Sequence, residues 1–151
     1  MKEFFKEVKK LPIEKIMEID LERNNPGTDL APRHMMLMLS EMLDQGWEIK
    51  RFNNTLFLAK DEGDDVLFHT MTAEKPHDLE RSAMAFYLYE LGLGKKLAYT
   101  YFDNPTIIRL FERMKGAETV EMSDQPNLGK YKALVDLPAA LKFYQEHVGE
   151  Q

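Results

Sequence analysis

Few constellations in this sequence combine residue types and spacing in a way that chemistry requires. "HDLE", from His77 to Glu80, is the local candidate for a metal pair, because ligands must share one side of an element at i, i+3 or i, i+4. Its place at a helix start favours first-turn acids that complement the helix dipole instead. "DEGDD", from Asp61 to Asp65, has the acidity of a calcium loop without its length or closing glutamate, and reads as a charged hairpin turn. "GLGKK", from Gly92 to Lys96, follows a helix rather than opening one, so its backbone donors are not aimed at a phosphate; it reads as a helix cap with surface lysines. The chain has no cysteine and no serine-nucleophile motif, which excludes thiolate catalysis, cysteine metal sites and disulfides. The expected metal set is therefore none.

Two histidines and a methionine string complete the inventory. In "RHMMLMLSEML" the thioethers fall on a helical stripe, Met35, Met38, Leu39 and Met42, and read as packing an irregular core. His34, near the start of that helix, reads as a surface or capping residue. His69 alternates with Phe68 in a strand and reads as facing solvent, with a cleft as the alternative.

The elements that must position these residues follow from hydrophobic period. "KEFFKEVKKL" places Phe4, Phe5, Val8 and Leu11 on one stripe. Pro12 opens a second helix through Ile13, Ile16, Met17 and Asp20, and "NNPGTD" stops it. A third helix runs from about Ala31 to Asp44, with Gly46 suited to its end. From Trp47 the period shortens: "WEIKRF", "TLFLAK" and "DVLFHTMT", separated by "NN" and "DEGD", predict a three-strand antiparallel meander. A helix from His77 or Asp78 to Leu91, a strand with Leu97, Tyr99 and Tyr101 on one side, and a helix from Pro105 to Lys115 capped by Asp103 or Asn104 follow. "ETVEMS" and "KYKALVDL" predict a closing strand pair, and "PAALKFYQEHVGE" a last helix.

This order predicts one domain over residues 1–151, of α/β (α+β) class, with a mixed sheet and a helical N-terminal third. A length of 151 residues with 44% hydrophobic content suits one ordinary core. The net charge of −6 disfavours nucleic acid, and no run approaches the roughly 20 apolar residues that a membrane span needs. A soluble, cytoplasmic protein is expected.

The stretch "YFDNPTIIRLFERMKGAE", together with the element order, resembles the GNAT (GCN5-related N-acetyltransferase) superfamily. In that family a meander is followed by a long helix, a strand, an Asn-started helix of the kind "N-x-x-A-I-x-L-Y-E-x-x-G-F" and two closing strands. Asn104, Ile108, Leu110, Phe111, Glu112 and Gly116 occupy the corresponding places, with Ala117 where the family has an aromatic residue. The likeness covers Trp47 to Leu137 by element order and about a dozen residues by motif.

The resemblance implies a mixed, mainly antiparallel sheet flanked by helices, and acetyl-CoA as the cofactor if the chain is active. It also exposes two departures. The family holds the pyrophosphate on a glycine-rich turn before the long helix, whereas "TAEKPHDLERSAMAF" has no glycine and places Glu74, Asp78 and Glu80 there; Lys75, His77, Arg81 and Asn104 are the weak candidates for holding the cofactor. The family's proton-donating tyrosine is matched by Phe111, which has no proton to give. If the chain is active, the candidates for its chemistry are Tyr101, Asn104, His69 and Glu48, with Tyr99, Tyr131 and Asp65 also available in type.

The leading expectation is an acetyltransferase-like protein without the usual chemistry and without a cofactor, a binding or structural component of an assembly. Its compact length and degenerate site resemble acetyltransferase-like accessory proteins of bacteriophages, which would make it virion-associated. A protein partner or a homo-oligomer is then expected, reached through the N-terminal helices or through Leu141, Phe143 and Tyr144. The alternative is a divergent acyl-CoA-dependent N-acyltransferase acting on an amine.

Overall fold

The computed structural model describes residues 9–24, 32–105, 108 and 117–148. The expected helix through Phe4, Phe5 and Val8 lies outside these residues, as do most of the expected helix from Pro105 to Lys115 and, with it, Phe111.

Two helices open the described chain, α1 (Ile13–Asn24) and α2 (Pro32–Asp44). Pro12 precedes α1, and its carbonyl accepts the amides of Lys15 and Ile16, so the proline starts the helix without needing the N–H it lacks. The meander follows as β1 (Glu48–Phe52), β2 (Thr55–Glu62) and β3 (Asp65–Thr72), each pair antiparallel. Asn53 at φ 54 and Gly63 at φ 76 supply the left-handed positions of the two tight turns. Asp61 fixes the second turn by accepting the Gly63 amide at 3.0 Å, the charged hairpin read from "DEGDD".

The crossover helix α3 (Pro76–Gly92) carries the chain to β4 (Leu97–Phe102), which lies parallel to β3. Gly94 at φ 92 turns the chain out of α3, as "GLGKK" suggests. β5 (Glu118–Met122), β6 (Tyr131–Asp136) and the last helix, α4 (Leu137–Val148), complete the order. Asp136 accepts the Ala139 amide at 3.0 Å and so starts α4 as an N-terminal cap. The six strands form one sheet in the order β1-β2-β3-β4-β6-β5, antiparallel except at β3–β4.

Alternation along the strands sends side chains to two cores. Phe57, Ala59, Val66, Phe68, Ala98 and Val135 face α3 and α4, where the Phe57 and Phe86 rings stack at 4.4 Å. Leu56 and Leu58, on the opposite face of β2, meet Ile16, Met17, Met35 and Leu39 of α1 and α2. A strand buried on both faces needs the near-continuous apolar run that "TLFLA" provides. Met38 departs from the sequence reading. Met35 and Leu39 are buried and Met42 packs against them, whereas Met38 is exposed together with Met36, Leu37 and Leu43, because the sheet covers only one side of α2. His34 is exposed. Phe143 and Tyr144, expected as partner surface, pack against the α3 core cluster of this chain.

Candidate functional site

The parallel pairing of β3 with β4 spans only Asp65↔Leu97, Val66↔Ala98 and Leu67↔Tyr99. Both strands continue, β3 to Thr72 and β4 to Phe102, without pairing to each other. Their outer edges stay engaged over this length, β3 to β2 as far as Thr72↔Thr55 and β4 to β6 as far as Phe102↔Tyr131. The sheet therefore splits internally instead of fraying at an edge. Beyond Leu67 and Tyr99 the facing edges of β3 and β4 have no ladder between them, and the Thr72 amide there is taken up by Asp20. The split opens at the carboxyl ends of two parallel strands beside the N-terminus of the crossover helix, the position where open α/β sheets bind ligands.

Alternation assigns the lining of the split. Phe68, Thr100 and Phe102 lie on the α3 side, whereas His69 and Tyr101 lie on the α1 side at corresponding positions of their strands. His69 keeps an exposed edge, yet the packing around its ring holds the imidazole below its usual range, with the Asp20 carboxylate opposing. Asp20 itself is pushed up by burial while its Oδ1 accepts the Thr72 amide at 3.1 Å.

The Tyr101 hydroxyl donates to Asp124 at 3.0 Å, and its phenol is raised above the usual value, first by loss of water and then by that carboxylate. Lys132 lies 5.6 Å from the Tyr101 ring centroid and 4.9 Å from that of Tyr99. Asn104 is exposed just beyond the end of β4.

The loop between β5 and β6 braces this corner. Gly129 lies against the backbone of Phe102, where a Cβ would come within 2.6 Å of the Phe102 nitrogen, and the Lys130 amide reaches Asp103 at 3.0 Å. Phe102 and Tyr131 stack at 5.5 Å across the β4–β6 pair.

The other sequence candidates are distributed unevenly. Glu48 lies on the outer strand β1, ion-paired to Lys50 at 2.7 Å, and the structure does not bring it to the split. Lys75 is exposed immediately before α3, and His77 contacts Arg81 at 3.1 Å on the helix surface rather than Glu80. Asp65 belongs to the last paired segment, and Tyr131 packs on Phe102.

Sequence reasoning missed the arrangement of the β3–α3 turn. Glu74, expected among acids facing a pyrophosphate, is buried and turned inward: its Oε1 accepts from Ser82 Oγ at 2.6 Å and from Thr55 Oγ1. The Glu74 amide in turn donates to Thr72 Oγ1 at 2.9 Å, and the Thr72 and Thr55 hydroxyls bond to each other at 2.6 Å. A hydroxyl has one proton, so Thr55, which donates to Glu74, must accept from Thr72, and the three residues close a ring. Burial raises the Glu74 carboxyl, and the Ser82 and Thr55 hydroxyls oppose that shift. The available signal was the row of hydroxyl residues at Thr55, Thr72 and Ser82 in otherwise apolar elements.

A divalent cation has no candidate here: no group of three histidine or acidic residues converges among the described residues. Among the described residues no helix is long and apolar enough to cross a membrane.

A meander, a crossover helix, a parallel strand that splits from the meander and a closing antiparallel pair together define the architecture. Comparison with solved structures finds the same one. Apo FdhC, described as a nucleotide-linked sugar GNAT, aligns over 93% of this chain and 91% of its own at a TM-score of 0.56 and 9% identity. This chain has the GNAT fold. The ribosomal-protein-S18-alanine N-acetyltransferase from Escherichia coli also aligns, over 85% of this chain and 92% of its own, at a TM-score of 0.48 and 8% identity. No family model and no curated protein matches the sequence. At such identities the GNAT likeness concerns the fold, and activity must be argued from the site.

The site can be tested against the cofactor that the GNAT fold implies. The end of the β3–β4 ladder at Leu67↔Tyr99 is compatible with an extended, amide-containing arm. The residues of the turn do not fit a glycine-type pyrophosphate cradle, since Glu74 fills its underside and Pro76 stands at the first helical turn.

Proposed function

We propose that this chain is a divergent acyl-CoA-class N-acyltransferase that takes a thioester arm into the split between β3 and β4 and transfers the acyl group to an amine. The observation that carries the reading is the end of the β3–β4 pairing at Leu67↔Tyr99, with both outer edges still paired. A sheet that held together by itself would continue that ladder. Stopping it leaves polar backbone groups that an inserted amide arm satisfies.

When bound, the thioester supplies an activated acyl carbonyl. The backbone of β3 from 68 to 71 and of β4 at 100–101 holds and aligns the arm, which confines the reacting centre between two strands. His69 stays neutral below the ordinary imidazole range and so is able to accept the proton of an attacking ammonium. Tyr101, on the same face, keeps its proton across neutral pH and is the hydroxyl that turns from Asp124 to the departing thiolate. Asn104, at the end of β4, adds a side-chain amide near the mouth of the split.

A second reading, a non-catalytic binding component of an assembly, draws support from Phe111 standing where the family has tyrosine and from the glycine-free turn. One experiment separates the two. Calorimetric titration with acetyl-CoA is combined with detection of released thiol in the presence of primary amines. Binding with amine-dependent thiol release is the expected result. Binding without release favours the non-catalytic reading, and absence of binding contradicts the acyltransferase assignment.

A further inference from the structure

Lys132 lies in the middle of β6 with Tyr101 of β4 as its partner on one side and Glu121 of β5 on the other, all three on the α1 side of the sheet. Its side chain does not reach out to water. It is only 17% exposed, and Nζ sits 4.9 Å from the Tyr99 ring centroid and 5.6 Å from that of Tyr101, two rings that meet edge to face at 6.1 Å. Nζ is also 3.6 Å from Asp124 Oδ2, while the other oxygen of that carboxylate accepts the Tyr101 hydroxyl. One carboxylate is thus shared by a phenol and an ammonium, and the ammonium in turn covers the phenol ring.

The proposed reaction asks Tyr101 for a proton, and Asp124 by itself opposes that. As the C–N bond to the amine forms and the C–S bond breaks, the departing sulfur takes the hydroxyl proton. A phenolate is then left beside a carboxylate that stands 3.0 Å from it at rest, and two like charges so placed disfavour each other. Loss of water and then Asp124 accordingly hold the phenol up, whereas Lys132 lowers it. An ammonium already over the ring is attracted more strongly once the ring carries a charge, and its ion pair retains Asp124 when the hydroxyl turns away. The other titratable groups on this face are Tyr99, with Glu62 and Asp65 near it, Glu121 and, across the split, His69 with Asp20 opposite. Among these groups Lys132 carries the one positive charge.

Resting on the acyltransferase reading, we propose that Lys132 is a positioning residue for the leaving-group proton: it holds Tyr101 and Asp124 together at rest and stabilises the phenolate formed when the thiolate takes the Tyr101 proton. Solvent, which Asp124 meets with a 61% exposed side chain, returns that proton. Lys132 touches neither thioester nor amine, and its effect passes through the Tyr101 ring. Because β6 stays paired to β4 as far as Phe102↔Tyr131, the cation is carried on the engaged edge of β4 and keeps its place when an arm enters on the other side.

The test uses the full chain labelled with fluorotyrosine, the Tyr101 fluorine resonance being identified by its loss in Tyr101→Phe, beside steady-state kinetics with acetyl-CoA and a primary amine. Lys132→Met is expected to raise the pH at which Tyr101 titrates by about half a pH unit or more and to lower kcat about tenfold, with thioester affinity within about twofold. Lys132→Gln gives the same two readouts where the methionine variant does not fold. Lys132→Arg keeps the charge over the rings and is expected to restore the titration and most of kcat. An unmoved Tyr101 titration, an unmoved kcat, or a loss of kcat that Lys132→Arg shares in full overturns the proposal, while thiol release by the unsubstituted protein keeps the acyltransferase reading standing. Absence of amine-dependent thiol release from the unsubstituted protein removes that reading, and this proposal falls with it.

Discussion

His69 and Tyr101 stand at corresponding positions on β3 and β4, two residues beyond the last parallel pair, Leu67↔Tyr99, and on the same face of the sheet. A proton acceptor and a proton donor thus flank the point where the sheet opens. The imidazole is held below its usual range by its surroundings, and the phenol above its own. The sign of both shifts keeps His69 neutral and Tyr101 protonated through neutral pH. The acid limb of kcat/KM for amine acylation is therefore expected below the ordinary imidazole value of about 6.5. An acid limb above that value would contradict His69 as the base.

Tyr101→Phe removes the hydroxyl and its bond to Asp124 but keeps the ring beneath Lys132. If the hydroxyl supplies a proton to the leaving thiolate, kcat falls about 100-fold while thioester affinity stays within about twofold. Steady-state kinetics beside calorimetry checks this split, and loss of affinity with unchanged kcat would make Tyr101 a binding residue only.

Ser82→Ala takes one donor from the buried Glu74 carboxylate and one acceptor from the Asn53 side-chain amide, which donates to Ser82 Oγ at 3.2 Å. A buried carboxylate left short of a donor costs about 1–3 kcal/mol. Chemical denaturation should show a loss of that size with an unchanged denaturant slope. No loss would mean that the ring of Thr55, Thr72 and Glu74 holds the turn without Ser82.

Glu118 Oε2 is buried with no hydrogen-bond partner among the described residues, and burial, aided by Glu80, pushes its carboxyl up to about 9. The folded chain then holds a proton that the unfolded chain releases, so stability declines as pH rises from about 4.5 to about 9, by up to about 1.4 kcal/mol per unit. Glu118→Gln should flatten this decline between pH 5.5 and 8.5 in thermal denaturation. Equal slopes for both proteins would refute the assignment.

Gly129→Ala drives a Cβ into the Phe102 backbone, which cannot turn aside as a flexible side chain would. Destabilisation of about 1–3 kcal/mol is expected. Because Phe102 ends β4 where that strand has parted from β3, thioester affinity should fall as well. Unchanged stability would indicate that the β5–β6 loop does not brace the split.

Much of the fold was legible because its signals are local. The shift from helical to alternating period at Trp47 marks the meander, and Asn53 and Gly63 mark its turns. The capping of α4 by Asp136 instead of a start at Pro138 was not read, because a side-chain bond decides it. The candidate site was harder to see. Where a parallel ladder stops depends on how β3 and β4 twist against their outer neighbours, and no residue in "DVLFHTMT" or "LAYTYF" announces it. The inward turn of Glu74 likewise depends on three hydroxyl residues far apart in sequence, so the carboxylate was read as facing the ligand. Tyr101 and His69 were recognised as types, whereas their relation across the split exists only in three dimensions.

On the proposed reading a thioester arm completes the sheet beside residues 68–71 of β3 and 100–101 of β4. Backbone hydrogen exchange of the full chain, with and without saturating S-acetylpantetheine, tests it directly. Slowed exchange concentrated in those two segments, with β1 and β5 unchanged, is the predicted result. Unchanged exchange at 68–71 and 100–101 in the presence of bound thioester would contradict this reading.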